Sequence, residues 1–373
     1  MKRSFFSTLL FLCTVALLHA AKVDVQHVHP LHWWVGMKQP ELQILIHGKN
    51  VGQCTPTLSA TDVQLIRTET TANPNYLILY VDTRNARPQT FDIVLRGNGL
   101  NGRIPYTLKP RTPRTVDSFT SADVMYLLIP DRFANGNLHN DNVPHLLEPK
   151  ANRTNPDGRH GGDLAGIARH LDYLADLGIT ALWPTPVQVN NQKSHTYHGY
   201  AITDYYQIDP RFGSNKEFYA LVDNCHRHGI KMVMDLVFNH CGSNNFLYAD
   251  RPADNWFNFD SRYVQTNYKI GSVSDPHAAK ADKALAQDGW FVEPMPDFNQ
   301  KNPVVMDYLI QASIWWIEQA GIDGIRQDTY PYTDLEAMAA WNERIELEYP
   351  GFNIVGETWI NHNVGVSFWQ TGQ

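Results

Sequence analysis

The sequence predicts an α/β protein in which an N-terminal immunoglobulin-like β-sandwich precedes an incomplete (β/α)8 TIM barrel of about five strands. Residues 22–112 consist of short alternating runs separated by turn residues, which is typical of a sandwich. From Ser121 onward strands alternate with helices, as parallel strands joined by crossovers require. Two β-branched runs each end in a carboxylate, Asp328 and Glu357, with a predicted helix over 333–349 between them. In a parallel barrel both carboxylates would lie at one rim.

Length and composition describe a globular protein with a substantial core. The chain has 373 residues, of which 43% are hydrophobic and 12% aromatic. Its formal net charge of −7 argues against nucleic acid or an anionic membrane as the main partner. Outside the N-terminal apolar segment there are three cysteines, Cys54, Cys225 and Cys241, and this odd number without regular spacing predicts no disulfide framework. A bridge between Cys225 and Cys241 stays open.

Residues 1–21 have the pattern of a secretory signal peptide. Lys2 and Arg3 precede an apolar run, Phe5–Leu18, and two alanines follow it. The run is too short and wrongly flanked for a stable membrane span. We therefore expect an exported protein, periplasmic or secreted, without a membrane-spanning segment.

Two domains are predicted after the signal peptide: the sandwich over 22–112 and a partial catalytic barrel over 117–373. An inserted subdomain is expected at about 241–300, because this stretch has no regular period and is too long for an ordinary loop. Trp33 and Trp34 could stack on a sugar in a carbohydrate-binding module, but packing is the favoured interpretation.

Five strands and four helices of the barrel are predicted from apolar periodicity and from glycine and proline stops. The predicted strands are 123–129, 179–183, 230–237, 322–326 and 352–356. The predicted helices are 164–177, 215–228, 302–320 and 333–349.

Two carboxylates at one rim suggest glycoside hydrolysis. A retaining glycosidase uses an ionised carboxylate to attack the anomeric carbon and a protonated carboxyl group to protonate the leaving oxygen. Asp328 fits the nucleophile and Glu357 the acid/base. Arg326 shares a strand face with Asp328 and would favour its ionised form, and Trp359 is expected to raise the pKa of Glu357 by apolar contact. The alternative is a structural ion pair between Arg326 and Asp328.

Several motifs, taken together and in order, resemble those of the α-amylase family of retaining glycoside hydrolases, and within it the cyclomaltodextrinase and neopullulanase branch. Chance is a poor explanation for so many matches in one order. The matching stretches are HWWVGM at 32–37, GITALWPTP at 178–186, YHGY at 197–200, DLVFNH at 235–240, MPDFN at 295–299, GIRQD at 324–328 and Gly356-Glu357.

The resemblance implies roles for further residues at the predicted rim. It places His198, Tyr200 and His240, together with Arg326, in the subsite that holds the sugar ring at the cleavage point. Tyr200 offers a stacking face, and the imidazoles offer hydrogen bonds to sugar hydroxyls. Asp235 is expected to brace the end of its strand.

A second group of residues carries oxygen atoms around a glycine, which suits Ca²⁺. The resemblance implies a structural calcium site of this branch. The alternative is an Asn/Asp-rich turn that binds no metal. The ligands that the resemblance implies are Asn135, Asn137, Asn140, Asp141, Asp163 and the carbonyl of Gly161. A second calcium site is not expected, because Pro331 and Tyr332 stand where better-known α-amylases carry Lys-His.

The family's third carboxylate has no counterpart before Gln373. We therefore expect either a fragment of a longer chain or a truncated gene product. The expected function is hydrolysis of α-1,4-glucosidic bonds in maltodextrins, cyclodextrins or pullulan by double displacement. One alternative is a non-catalytic oligosaccharide-binding fragment, and another is a barrel hydrolase acting on β-glycans. Homodimerisation stays open.

Overall fold

The computed structural model describes residues 21–112 and 116–370. The predicted signal peptide therefore lies outside the described residues, apart from Ala21. Within the described ranges, no helix is both long and apolar enough to cross a membrane.

The N-terminal part is built from nine strands in two sheets. One sheet has the order β1-β9-β8-β5, with β3 also pairing β9, and the other has the order β2-β4-β7-β6. Burial alternates along β8 and β9, as one buried and one open face require. Trp33 and Trp34 are buried in β3, which confirms that they pack. The strands are β1 (Ala21–Lys22), β2 (Val25–His29), β3 (Trp33–Trp34), β4 (Glu41–Gly48), β5 (Thr55–Leu58), β6 (Gln64–Thr70), β7 (Tyr76–Asp82), β8 (Gln89–Gly97) and β9 (Leu100–Lys109).

The remaining strands include the predicted five-stranded parallel sheet, in the order β10-β11-β14-β15-β16. All four neighbouring pairs in it are parallel, as strands joined by crossover helices are expected to be. Among the described residues this sheet does not close into a barrel. The antiparallel pair β12-β13 was not predicted. The strands are β10 (Met125–Leu128), β11 (Ala181–Pro184), β12 (Gln188–Val189), β13 (Asp204–Ile208), β14 (Lys231–Leu236), β15 (Gly324–Gln327) and β16 (Asn353–Gly356).

The described part of the chain contains ten α-helices. The helix preceding β15 follows its end signals closely, since the Asn302 side chain caps it, Pro303 opens it and Gly321 ends it with a φ of 76°. The helices are α1 (Pro130–Phe133), α2 (Leu164–Ala168), α3 (Leu171–Asp176), α4 (Asn215–Arg227), α5 (Phe246–Ala249), α6 (Gly271–Ser274), α7 (Lys280–Gln287), α8 (Pro303–Ala320), α9 (Leu335–Glu348) and α10 (Asn363–Phe368).

The prediction of a single helix over 164–177 was wrong, because the structure has two helices there, α2 and α3. At the break, His170 Nδ1 lies 2.8 Å from the carbonyl oxygen of Gly166, the acceptor that a continuous helix would give to the His170 amide. That amide instead donates to Ile167 O at 3.0 Å, a tighter turn of 3₁₀ type.

The two strands at the centre of their sheet, β4 and β7, are buried along almost their whole length. The catalytic part covers the outer face of this sheet: β4 contacts α8, and the Tyr76 hydroxyl at the start of β7 donates to the carbonyl oxygen of Phe246 at 2.9 Å. The Gln311 side chain on α8 bonds the backbone of Gln43 on β4 twice, accepting from its N–H and donating to its carbonyl, each at 2.8 Å. This contact fixes the helix that leads directly into β15.

Candidate active site

Three carboxylates reach the same edge of the parallel sheet. Asp235 lies near the end of β14, Asp328 directly follows β15, and Glu357 directly follows β16. Because β14, β15 and β16 are parallel neighbours, their carboxyl ends meet at this edge. The structure thus brings together Asp328 and Glu357, the two residues that the sequence singles out for chemistry.

One guanidinium, that of Arg326, holds all three carboxylates. Its Nη1 lies 2.8 Å from Asp235 Oδ1 and 2.8 Å from Asp328 Oδ1, and its Nη2 lies 2.6 Å from Glu357 Oε2. Residues alternate along β15, so Arg326 and Asp328 share a face, and the register pairs Arg326 with Asp235 on the neighbouring strand. Arg326 was assigned to substrate binding by sequence, but it is 5% exposed and its donors face the carboxylates.

Asp235 is the third carboxylate of the cluster. The sequence predicted for it only a role in bracing the end of its strand. Its Oδ2 accepts from Trp183 Nε1 at 2.8 Å and from the Tyr200 hydroxyl at 3.2 Å. The Arg326 guanidinium lies 5.0 Å from the Trp183 ring centroid and 5.6 Å from that of Tyr200. The signal that could have found Asp235 is its position, since it comes at the end of a strand expected beside β15.

Burial and charge act in opposite directions on the carboxylates. Burial raises the pKa of Asp328 well above its usual value and nearby Asp235 raises it further, while Arg326 opposes the shift. Burial likewise raises the pKa of Asp235 to about 6 against the same guanidinium. Arg326 alone therefore does not offset the cost of burying two neighbouring carboxylates.

Glu357 behaves differently from the expectation. Burial raises its pKa, but the Thr329 N–H at 2.8 Å, Arg326 and the Trp359 indole N–H at 2.5 Å together lower it below the ordinary value. Trp359 is 81% exposed and reaches Glu357 through its N–H, so the prediction that it raises this pKa by apolar contact was wrong.

The predicted ring-binding residues surround the same cluster. The Tyr200 N–H donates to His198 Nδ1 at 2.9 Å, and the two rings stack with their centroids 5.8 Å apart. His240 is buried, and its Nδ1 lies 3.0 Å from Asn239 Oδ1. Its Nε2 has no hydrogen-bond partner among the described residues. Burial, followed by nearby His198, lowers the pKa of His240 to about 4, so the imidazole is neutral with one nitrogen unused.

The predicted calcium ligands form a second cluster, beside the loop of Gly161 and Gly162 that packs against the segment following β10. The side-chain oxygens of Asn135 and Asn140 are buried and have no hydrogen-bond partner in the described part of the chain. Asp141 Oδ1 accepts from Asn135 Nδ2 at 2.6 Å, and it lies 2.3 Å from where a Cβ on Gly161 would stand. Two buried, unpaired oxygens beside a carboxylate fit a hard cation.

Two of the remaining predicted ligands, Asp163 and Asn137, are already engaged by the backbone. Asp163 caps α2, and its carboxylate accepts from the N–H groups of Gly136, Asn137 and Gly166 at 2.9, 2.8 and 2.6 Å. The Asn137 side chain accepts from His139 N at 3.1 Å. Because a carboxylate has about four acceptor positions, Asp163 retains capacity for a cation.

A parallel sheet with a carboxylate cluster at its carboxyl edge is the arrangement that glycoside hydrolases of barrel type use. The family described as "Alpha amylase, catalytic domain" matches residues 127–373, and that described as "Cyclomaltodextrinase, N-terminal" matches residues 27–112. The chain belongs to the α-amylase family.

Similar characterised proteins come from the branch that the sequence resembles. The chain is 36% identical over 248 residues to the cyclomaltodextrinase of Thermoanaerobacter pseudethanolicus, covering 65% of this chain and 40% of that protein. It is 35% identical over 257 residues to neopullulanase 2 of Thermoactinomyces vulgaris, covering 66% of this chain and 40% of that protein. The chain thus spans about 40% of the length of these relatives.

Solved structures show the same architecture. The α-amylase of Geobacillus thermoleovorans, complexed with acarbose, is 30% identical with a TM-score of 0.56, covering 69% of this chain and 50% of that one. The maltogenic amylase of S. marinus covers 91% of this chain and 52% of that one, with a TM-score of 0.51 and 22% identity, which shows likeness of fold alone.

Proposed function

We propose that this chain carries the catalytic carboxylates of a retaining hydrolase of α-1,4-glucosidic bonds, with Asp328 as nucleophile and Glu357 as acid/base. The observation that supports it most is that one guanidinium binds both carboxylates. Two carboxylates on the two terminal nitrogens of one guanidinium lie side by side, as a nucleophile and an acid/base that act on one glycosidic bond require. Maltodextrins, cyclodextrins and pullulan are the proposed substrates, since the relatives include a cyclomaltodextrinase and a neopullulanase.

In the first step Asp328 attacks the anomeric carbon while Glu357 protonates the leaving oxygen, and in the second Glu357 removes a proton from the attacking water. Arg326 opposes protonation of Asp328, but burial and nearby Asp235 outweigh it in the protein without sugar, so Asp328 must lose a proton before it can attack. The neutral His240, with its Nε2 unpaired, and the ring of Tyr200 are suited to hold the sugar beside the carboxylates.

Proton donation sets a condition on Glu357. Without a sugar, three donors hold its carboxylate in the ionised form, those of Arg326, Thr329 and Trp359. Substrate binding must therefore weaken these contacts, because an acid that hands over a proton must first hold one. The exposed Trp359 is the donor most readily moved by an arriving sugar.

The test is hydrolysis of maltodextrin, cyclodextrin and pullulan by the protein and by its Asp328→Asn and Glu357→Gln variants. We expect Glu357→Gln to lower kcat about 10²–10⁴-fold, the range for loss of a general acid, and Asp328→Asn to abolish turnover. NMR of the first products should show the α-anomer. Glu343→Gln, an exposed carboxylate on α9, serves as the matched control with unchanged rates.

Three outcomes would overturn parts of the proposal. Full activity in Asp328→Asn would remove the nucleophile assignment, and β-anomeric products would remove retention. Binding of maltodextrin by the wild-type protein, without hydrolysis, would support the oligosaccharide-binding alternative instead.

We propose in addition that the cluster around Asn135 and Asn140 binds Ca²⁺ for stability. The support is that both side-chain oxygens are buried without partners beside Asp141, and a bound cation would satisfy them. Calcium should raise Tm of the wild-type protein and should leave Tm of Asn140→Ala unchanged. An equal rise in both proteins would place the cation elsewhere.

Export is proposed from the charged start and apolar run of residues 1–21. Fractionation of cells that produce the protein should recover it outside the cytoplasm. Replacing Leu9 and Leu10 by Asp should retain it inside, because the apolar run would be broken.

A further inference from the structure

Two histidines of the N-terminal part and one aspartate of the parallel-sheet part converge at the boundary between them. His27 and His29 lie on β2, and Asp204 is the first residue of β13. One potential ligand atom from each lies within 4.8 Å of the other two. We propose that these residues bind a Zn²⁺ ion that joins the N-terminal sheet to the catalytic part.

Strand geometry explains why the two imidazoles act together. Alternate residues of a strand point to the same face, so His27 and His29 are both directed toward β13. Asp204 comes from the opposite side of the boundary, far away in sequence. Two imidazoles and a carboxylate are a ligand set that Zn²⁺ accepts, with water at a fourth position.

Both imidazole rings are held in place by neighbours from the catalytic part. His29 Nδ1 lies 3.0 Å from the Tyr308 hydroxyl, which leaves Nε2 as the nitrogen available to a metal. The His27 ring stacks on that of Phe246, with centroids 4.1 Å apart and planes 10° apart. A partner on the second ring nitrogen, like Tyr308 here, is the usual means of orienting a histidine ligand.

The charges at this boundary are those of a site that accepts a cation. Burial, followed by nearby histidines, lowers the pKa of His27 to about 4 and that of His29 well below 6.5, so both are neutral ligands at pH 7. Burial raises the pKa of Asp204 to about 6. Its carboxylate accepts from the Tyr206 N–H at 2.8 Å, and backbone N–H groups oppose the shift only in part.

Only small movements separate this arrangement from a metal site. Zinc–ligand bonds of about 2.0–2.2 Å place tetrahedral ligand atoms about 3.3 Å apart. To reach that spacing from the present one, each ligand atom would have to move by no more than about 1 Å. Small rotations of the side chains are enough for such a movement. The ion would offset the cost of burying the Asp204 carboxylate and would hold the two parts of the chain together.

The experiment uses the 373-residue protein, stripped of metal with EDTA and saturated with Ca²⁺ so that the calcium cluster does not compete. Calorimetric titration with Zn²⁺ should show one tight site, and Zn²⁺ should raise Tm. Both effects should disappear in His27→Gln and in Asp204→Asn. Tyr308→Phe, which keeps the ring but removes the partner of His29, should weaken binding about 10–100-fold.

His32→Gln is the matched control, because His32 lies in the same segment and contacts Gln319 without belonging to the cluster. It should bind Zn²⁺ as the wild type does. Co²⁺ in the wild-type protein should give the visible spectrum of a tetrahedral site with nitrogen and oxygen ligands. This measurement does not depend on whether the variants fold. No tight Zn²⁺ site in the wild type, or equal affinity in His27→Gln and Asp204→Asn, would overturn the proposal.

Discussion

Replacing Arg326 by methionine removes the cation that contacts all three carboxylates at the edge of the parallel sheet. The side chains of Asp235 and Asp328 are 0% and 7% exposed, and both lose an ion-pair contact of 2.8 Å. Removing one partner of a buried ion pair costs about 3–5 kcal/mol, because the remaining charges stay buried without compensation. Glu357, at 21% exposure, keeps two other donors and is expected to add little.

The cost should depend on pH. Burial already places the folded pKa of Asp235 and Asp328 above the unfolded value of about 4, and loss of the guanidinium raises both further. A carboxyl group that holds its proton more tightly in the folded state lowers the free energy of unfolding as pH rises from the unfolded toward the folded pKa. The decrease in the free energy of unfolding caused by Arg326→Met should therefore be largest at pH 8. It should be smaller at pH 5, where the carboxyl groups of the folded protein are protonated.

Urea unfolding followed by circular dichroism at pH 5 and pH 8 measures this deficit. Arg326→Lys is the control, since it keeps a charge but lacks the planar fork that reaches carboxylates on both sides, and it should lie between the two proteins. Wild-type stability of Arg326→Met at pH 8, or a deficit independent of pH, would refute the reasoning.

Three further predictions concern stability. Arg111→Ala removes the cation paired with two buried glutamates, Glu318 and Glu348, and should lower the free energy of unfolding by about 3–5 kcal/mol; wild-type stability in urea would contradict it. Gly166→Ala should lower Tm, although helix propensity alone predicts a gain, because its Cβ would lie 1.9 Å from the Ala134 carbonyl oxygen; a raised Tm would show that this turn yields. Asp235→Asn should flatten the loss of stability between about pH 4 and pH 6 in urea titrations, since the folded pKa of Asp235 is about 6; an unchanged slope would assign that loss to other groups.

Much of the fold follows from local chain chemistry. Asn302, Pro303 and Gly321 define the ends of α8 through capping and backbone preference, which depend on neighbouring residues alone. The same locality explains why the positions of Asp328 and Glu357 could be predicted. Each directly follows a short strand, and the direction of parallel strands brings such positions to one edge.

The break between α2 and α3 shows where a local pattern is insufficient. The apolar spacing over 164–177 is helical throughout, yet the His170 side chain lies against the carbonyl that would continue the helix. Periodicity reports which face is buried but does not report which acceptor a side chain will occupy.

The sequence by itself determined the family, the five parallel strands and the two carboxylates at their edge, because these follow from motifs and short-range periodicity. Only the tertiary structure decided that one guanidinium binds Asp235, Asp328 and Glu357 together, and that donors around Glu357 lower its pKa. It alone brought His27 of the N-terminal part to Asp204. The physical reason is that burial and electrostatic interaction depend on distance in space, which packing sets between residues far apart in the chain.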